Sequence, residues 1–160
     1  MKCAWILRRQ EGRKAGRPLI NSVYINYQSA KARCYRGVGS AVLHVEYSGV
    51  LTTAALVSLG PQIARLASND PVVIDWHRSV TVWPDPLNLH RIAHAKGSGV
   101  FIVRPDQQKA ALKHCELLAK LGSLRTVFLQ HQAELARAWA ECQSTIQRSH
   151  ALVCVAEPRG

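Results

Sequence analysis

Residues 100–129 read VFIVRPDQQKAALKHCELLAKLGSLRTVFL, and this stretch decides the fold class. Val100-Phe101-Ile102-Val103 is a continuous apolar run, the pattern of a strand covered on both faces. Pro105-Asp106 then opens a helix that reaches Leu121. Lys109, Lys113, Glu116 and Lys120 make its outward side. Ala111, Cys115 and Leu118, with Leu112 and Ala119, make its inward side. Gly122 is the expected stop, and residues 126–129 form a second short strand. Strand, helix and strand in so short a span make a crossover unit, which joins parallel strands.

Working outward, the same alternation continues. Upstream, Val72-Val73-Ile74 is another continuous apolar strand, running into Asp75-Trp76. Before it, Leu56, Leu59, Ile63 and Leu66 recur at helical spacing behind a cap at Thr52 or Thr53. Gly60-Pro61 in the middle predicts a kink or two short helices. Residues 41–47 predict a strand with Leu43, Val45 and Tyr47 on one side and Val42, His44 and Glu46 on the other, interrupted by Ser48-Gly49. Residues 37–39 supply a hairpin turn back to an extended piece at 32–36. Val23, Ile25 and Tyr27 alternate as a half-buried strand. Residues 80–83 are a short extended piece, and Asp85 caps a short helix opened by Pro86 and reaching about residue 95. Downstream, residues 132–147 form a last helix with Leu135, Trp139, Cys142 and Ile146 as its apolar stripe. Residues 151–156 are apolar but take no assignment.

The expected fold is therefore α/β: a mixed, largely parallel sheet of four to five strands packed by helices. It occupies residues 30–160, behind a basic N-terminal arm, residues 1–29, read as mobile. The chain of 160 residues is 48% apolar and 19% charged, enough for one core-forming domain, and its formal net charge is +11. The charge is uneven. Residues 1–37 hold nine bases and one acid, a net of +8, and the remaining residues carry only +3. The basicity belongs to the arm.

No apolar run approaches the roughly 18–20 residues that span a bilayer. The apolar residues 3–7 stop at Arg8-Arg9, short of a signal-peptide core. A cytoplasmic protein is the expectation. The five cysteines are scattered without a Cys-x-x-Cys pair, which excludes a zinc ribbon or thioredoxin-like motif. Cys115 and Cys142 fall on helical stripes and read as structural thiols.

The element order and several local stretches resemble the STAS domain, the fold of bacterial anti-sigma-factor antagonists and of the cytoplasmic tails of sulfate transporters. Ser48-Gly49-Val50-Leu51-Thr52-Thr53-Ala54-Ala55 is similar to the family's Gly-x-Leu-Asp turn into its first helix, with Thr52 where an Asp is usual. Residues 72–75 resemble its central strand, residues 99–105 the next one, and residues 109–140 its C-terminal helix–strand–helix unit. The resemblance covers about residues 38–147. It implies a regulatory domain whose central strand ends in an Asp followed by hydroxyl residues, one of them phosphorylated by an anti-sigma kinase. Asp75 matches that Asp. Trp76-His77-Arg78 stand where the hydroxyls and a Gly belong, and Ser79 is the nearest hydroxyl, out of register.

Ligands of open α/β sheets bind outside the strand carboxyl ends. The candidate partner- or ligand-binding residues are accordingly Asp75, His77, Ser79, Trp83, Asp85 and Asn88. The plainer alternative makes Asp75 a strand-end carboxylate that pairs with a nearby backbone amide or with Arg78. His90 and His94 share a helical spacing but have no third ligand, so no metal is expected. His114 and Cys115 point in different directions on a helix and make no nucleophile pair. No Gly-rich loop follows a strand, so no phosphate cradle is present, and no cofactor is expected. The resulting expectation is a non-enzymatic regulatory or interaction domain with a protein partner or small ligand, and homo-oligomerisation left open. The alternative is a nucleic-acid- or anionic-surface-binding protein acting through Arg8, Arg9, Arg13, Lys14 and Arg17 of the arm.

Overall fold

The computed structural model describes residues 6–11, 20–81 and 98–156, with side chains described within 21–81 and 98–149. The chain is α/β, built on one mixed sheet. Strands β1 (Ile6–Glu11), β2 (Ile20–Tyr27), β3 (Ala30–Tyr35) and β4 (Leu43–Leu51) run antiparallel in sequence order. Helix α1 (Thr53–Ala67) follows, then β5 (Val72–Asp75) and the short β6 (Ser79–Thr81). Strand β7 (Gly99–Val103), helix α2 (Gln108–Lys120), β8 (Arg125–Leu129) and helix α3 (Ala133–Ala156) complete the described chain. The sheet order is β1-β2-β3-β4-β5-β7-β8, and β6 pairs with the far end of β4. All pairings from β4 onward are parallel.

The parallel half is the part that the strand–helix alternation announces. The antiparallel half reaches further back than expected. The division placed at residue 30 falls inside the β2–β3 hairpin, and Arg8 and Arg9 lie in β1, paired with Val23 and Ser22. Arg13, Lys14 and Arg17 lie outside the described residues.

Three local expectations are corrected. Ser48-Gly49 does not end β4. The strand's ladder with β3 ends at Ser48, and on the other edge the parallel pairing passes from β5, which ends opposite Glu46, to β6, Gly49 facing Ser79. Gly49 takes φ +81°, and a Cβ on it would sit 2.0 Å from the Ser29 carbonyl oxygen, so only glycine allows the passage. Pro61 does not divide α1. The helix is continuous, with Pro61 on its exposed side and Leu56, Leu59 and Ile63 buried around it. Thr52 is the cap, its Oγ1 accepting from the Ala55 amide at 3.2 Å.

The third correction concerns the last two helices. On α2 the buried set is Ala111, His114, Cys115 and Leu118, while Leu112 and Ala119 are exposed. On α3 the buried residues are Ala136, Ala140 and Ser144, with Leu135, Cys142 and Ile146 exposed and Trp139 half-buried. The stripe that faces the sheet is one of small residues. They let the helix lie close on Val42, Val73, Val100 and Ile102. Residues 151–156, unassigned by sequence, continue α3.

Two apolar layers result. The larger lies between the sheet and helices α1 and α2, and contains Tyr47, Leu56, Ile63, Ile74, Trp76, Phe101 and Cys115. The smaller lies under α3, on the opposite face. Both meet at β5, all four of whose residues are buried.

Candidate functional site

Beyond the carboxyl end of β5 the chain turns sharply into β6, and the side chains of residues 75–79 part to opposite faces. Trp76 goes into the larger core. It is fully buried, its ring 5.2 Å from Phe101, 5.8 Å from Tyr47 and 6.2 Å from His114. Its amide donates to the Ile102 carbonyl at 2.8 Å, which extends the β5–β7 pairing by one residue. Asp75 faces the other way, in register with Glu46 on β4 and Ile102 on β7. Its Oδ1 accepts from the His77 amide at 3.2 Å and also contacts His77 Nδ1. The carboxylate thus closes a turn over two residues and orients the imidazole. Of the two readings of Asp75, the contacts are those of the turn-closing carboxylate, with His77 rather than Arg78 as its partner.

Ser79 is buried. Its Oγ donates to the Trp76 carbonyl at 2.8 Å and pairs with Thr81 Oγ1 at 2.7 Å. The expected site residues Asp75, His77 and Ser79 therefore come together in one loop. Trp83, Asp85 and Asn88, with His90 and His94, lie outside the described residues.

Two residues that the sequence did not single out hold this loop from the β7 side. Arg104 Nη1 donates to the carbonyls of His77 (2.6 Å) and Ser79 (2.8 Å), while its Nε and Nη2 engage the Asp106 carboxylate at 3.0 and 3.3 Å. That pairing holds the Asp106 carboxyl below its ordinary value, through the Arg104 hydrogen bond. Gln107 is buried. Its Nε2 reaches the carbonyls of Trp76 and Ser79, each at 3.3 Å, and its Oε1 accepts from the Arg104 amide at 3.0 Å. A signal was present. Arg104-Pro105-Asp106-Gln107 places a glutamine three residues after the strand end, the position whose side chain folds back onto the cap amide. Leu129-Gln130-His131-Gln132 repeats the device after β8, where Gln132 Oε1 accepts from the Leu129 amide at 3.1 Å.

Two histidines flank the loop from either side. His44 stacks on Tyr35, and burial, then Arg137, lowers its pKa to about 4. His114 lies edge-on to Phe101, and burial, then Arg125, also lowers its pKa to about 4. Both are neutral in the folded protein at neutral pH, whereas in the unfolded chain they take up protons near 6.5. The unfolded state therefore binds more protons between those values, and folding stability falls with acidification from about pH 6.5 toward 4. The expected slope is about 1.4 kcal/mol per pH unit for each histidine. Urea titrations across that window check it. His114→Phe should flatten the dependence, and an unchanged slope in that variant would remove His114 from the account.

Cys34 and Cys115 are buried thiols, pushed up by burial to about 12 and about 11, and neither is a nucleophile in this state. Cys142, expected beside them as a core thiol, is exposed on α3 because the small-residue stripe takes the inward side. Among the described residues no group of three or more His, Cys, Asp or Glu side chains is placed to hold a metal ion, and no helix is long and apolar enough to cross a membrane.

Fold and site together define an α/β domain with a mixed sheet and a tied polar loop at the carboxyl end of β5. No family model matches the chain, and neither a curated protein nor a solved structure matches it.

Proposed function

We propose that this protein is a non-enzymatic interaction domain of STAS-like type that presents the β5–β6 loop to a protein partner and does not use that loop as a phosphorylation switch. The observation that carries the reading is the loop's double tether. Arg104 and Gln107 fix its carbonyls from one side and Asp75 fixes its amide from the other, while Arg78 and Val80 remain exposed. A loop held in one shape with a basic and an apolar residue outward binds at low ordering cost, because little freedom is left to lose. The same hydrogen bonds bury Ser79 Oγ, so a kinase would have to unpack the loop to reach it.

Calorimetric titration against purified serine kinases of the anti-sigma class, with ATP and with intact-mass readout, tests this. The reading expects a complex that Arg78→Glu weakens at least about tenfold, the scale of a truncated interface contact, and no gain of phosphate. Phosphate on Ser79 or Thr81 would overturn it, as would binding indifferent to Arg78→Glu.

A further inference from the structure

The two edges of the sheet differ in character. Strand β1 ends one side and carries Arg8, Arg9 and Glu11 within its six residues, charges of the kind by which an open edge resists adding another strand. Strand β8 ends the other side with Thr126-Val127-Phe128-Leu129, which holds neither charge nor proline. Among the described residues nothing pairs with its outer side. One contact gives the direction of its backbone groups: the Gly99 amide donates to the Leu124 carbonyl at 2.9 Å. Alternate residues of a strand turn their backbone groups the same way, so Thr126 and Phe128 turn theirs to β7 and Val127 turns both of its own to the open edge. Leu129 turns outward as well, but its amide is capped by Gln132. The open stretch is therefore centred on Val127.

Beside this edge α3 presents an apolar flank. Its small residues face the sheet, and Arg137 and Glu141 lie on the flank toward β3 and β4, where Glu141 accepts from Ser40 and Arg137 acts on His44. The opposite flank, on the side of β8, is the stripe Leu135, Trp139, Cys142 and Ile146, and Trp139 packs with Phe128 of β8 in the smaller layer. Leu135 is 58% and Ile146 47% exposed, so the fold itself leaves this flank open.

An occupant has to meet both features. An extended peptide would pair with β8 and leave the α3 flank bare, and a lone helix would cover the flank and leave the strand unpaired. A second copy of the chain meets both. A two-fold axis perpendicular to the sheet at Val127 sets β8 antiparallel to its own copy, and the two Val127 residues then exchange both backbone bonds as a hydrogen-bonded pair. The same axis keeps the two α3 helices on one face. Each lies mainly over β7, and the two β7 strands would stand three strand spacings apart, about 14 Å. Helices in direct contact lie about 8–10 Å apart. Large side chains on the facing flanks close such a gap, and Leu135, Trp139 and Ile146 supply them. Charge agrees, since chains that each bear +11 meet with least repulsion through a surface free of charged side chains.

We propose that the β8 edge and the Leu135–Ile146 flank of α3 form a two-fold interface at which two copies of this chain join their sheets into one. The surface is two strands removed from β5, and it stands or falls separately from the partner reading of the β5–β6 loop.

Sedimentation velocity on the full chain over a range of concentrations tests it, with a thiol reductant present so that no Cys142 disulfide contributes. A dimer that dissociates on dilution is expected. Leu135→Glu, at an exposed position, should weaken it at least about tenfold, because a two-fold interface meets each substitution twice. Val127→Pro removes an N–H that serves no bond to β7, a place where an edge strand tolerates proline. It should weaken the dimer by roughly 5- to 150-fold, the worth of two hydrogen bonds. Val38→Glu, at an exposed apolar position on the β3–β4 connection, should leave it unchanged. Hydrogen exchange on the parent chain reads the strand pairing directly: the Val127 amide should slow as concentration rises, while those of Thr126 and Phe128 stay constant. A monomer at every concentration would overturn the proposal, as would a dimer indifferent to Leu135→Glu. Exchange at Val127 that ignores concentration would overturn the joined sheet even where a dimer forms.

Discussion

Trp76→Ala is expected to destabilise the fold by about 3–5 kcal/mol, the range for emptying a fully buried large aromatic position. The ring has no exposed surface and sits where β5 ends, with Phe101 stacked on it and Tyr47 and His114 at its edges. Those three neighbours come from β7, β4 and α2, so no single element can move in to fill the space. Trp76→Phe retains the stacking on Phe101 and should cost less than half as much. Trp76→Ser is the informative comparison. It returns a hydroxyl to the place where the STAS resemblance expects one, yet here that hydroxyl would enter an apolar cavity and should be no better than alanine. Urea denaturation of the three variants measures this. A Trp76→Ser protein as stable as the parent would show that the strand end tolerates a switch residue, and would undo the structural assignment of Trp76.

That residue also shows what the sequence makes legible. Continuous apolar runs at residues 72–74 and 100–103 could only be covered strands, and both are fully buried. The strand–helix alternation then fixed the parallel half of the sheet. Direction was harder to read. Leu135, Cys142 and Ile146 obey helical spacing as well as Ala136, Ala140 and Ser144 do, and hydrophobicity favours the first set. The close approach of α3 to the sheet selects the second. Strand β1 was hidden in the same way by composition, since a basic stretch reads as solvated until its pairing with β2 is known. At the site, Asp75, His77 and Ser79 were legible as strand-end polar residues. Of Gln107 only the fold-back onto the Arg104 amide carries a local signal; its reach, and that of Arg104, to backbone carbonyls more than 20 positions earlier in the chain is something no side-chain pattern encodes.

The largest effect on the loop itself is expected from Arg104→Met, which keeps the aliphatic stem and removes the guanidinium. Two carbonyl acceptors, those of His77 and Ser79, lose a charged donor. Each such loss costs about 1–3 kcal/mol when the group stays dry. About a third of the Arg104 side chain is solvent-exposed, so water recovers part of that, and a total near 2 kcal/mol is expected. Arg104→Lys should recover less than half, because an ammonium cannot hold two divergent carbonyls and the Asp106 carboxylate at once in the planar fork that guanidinium provides. The distribution of the loss matters more than its size. Hydrogen exchange should speed at the amides of Ser79 and of β6, where pairing to Gly49–Leu51 depends on the loop's course, and stay slow in α1 and β7. Uniform acceleration across the domain would instead make Arg104 a general stabiliser. Unchanged exchange at Ser79 would mean that Asp75 and Gln107 hold the loop alone, and the preorganised presentation of Arg78 and Val80 would then owe nothing to Arg104.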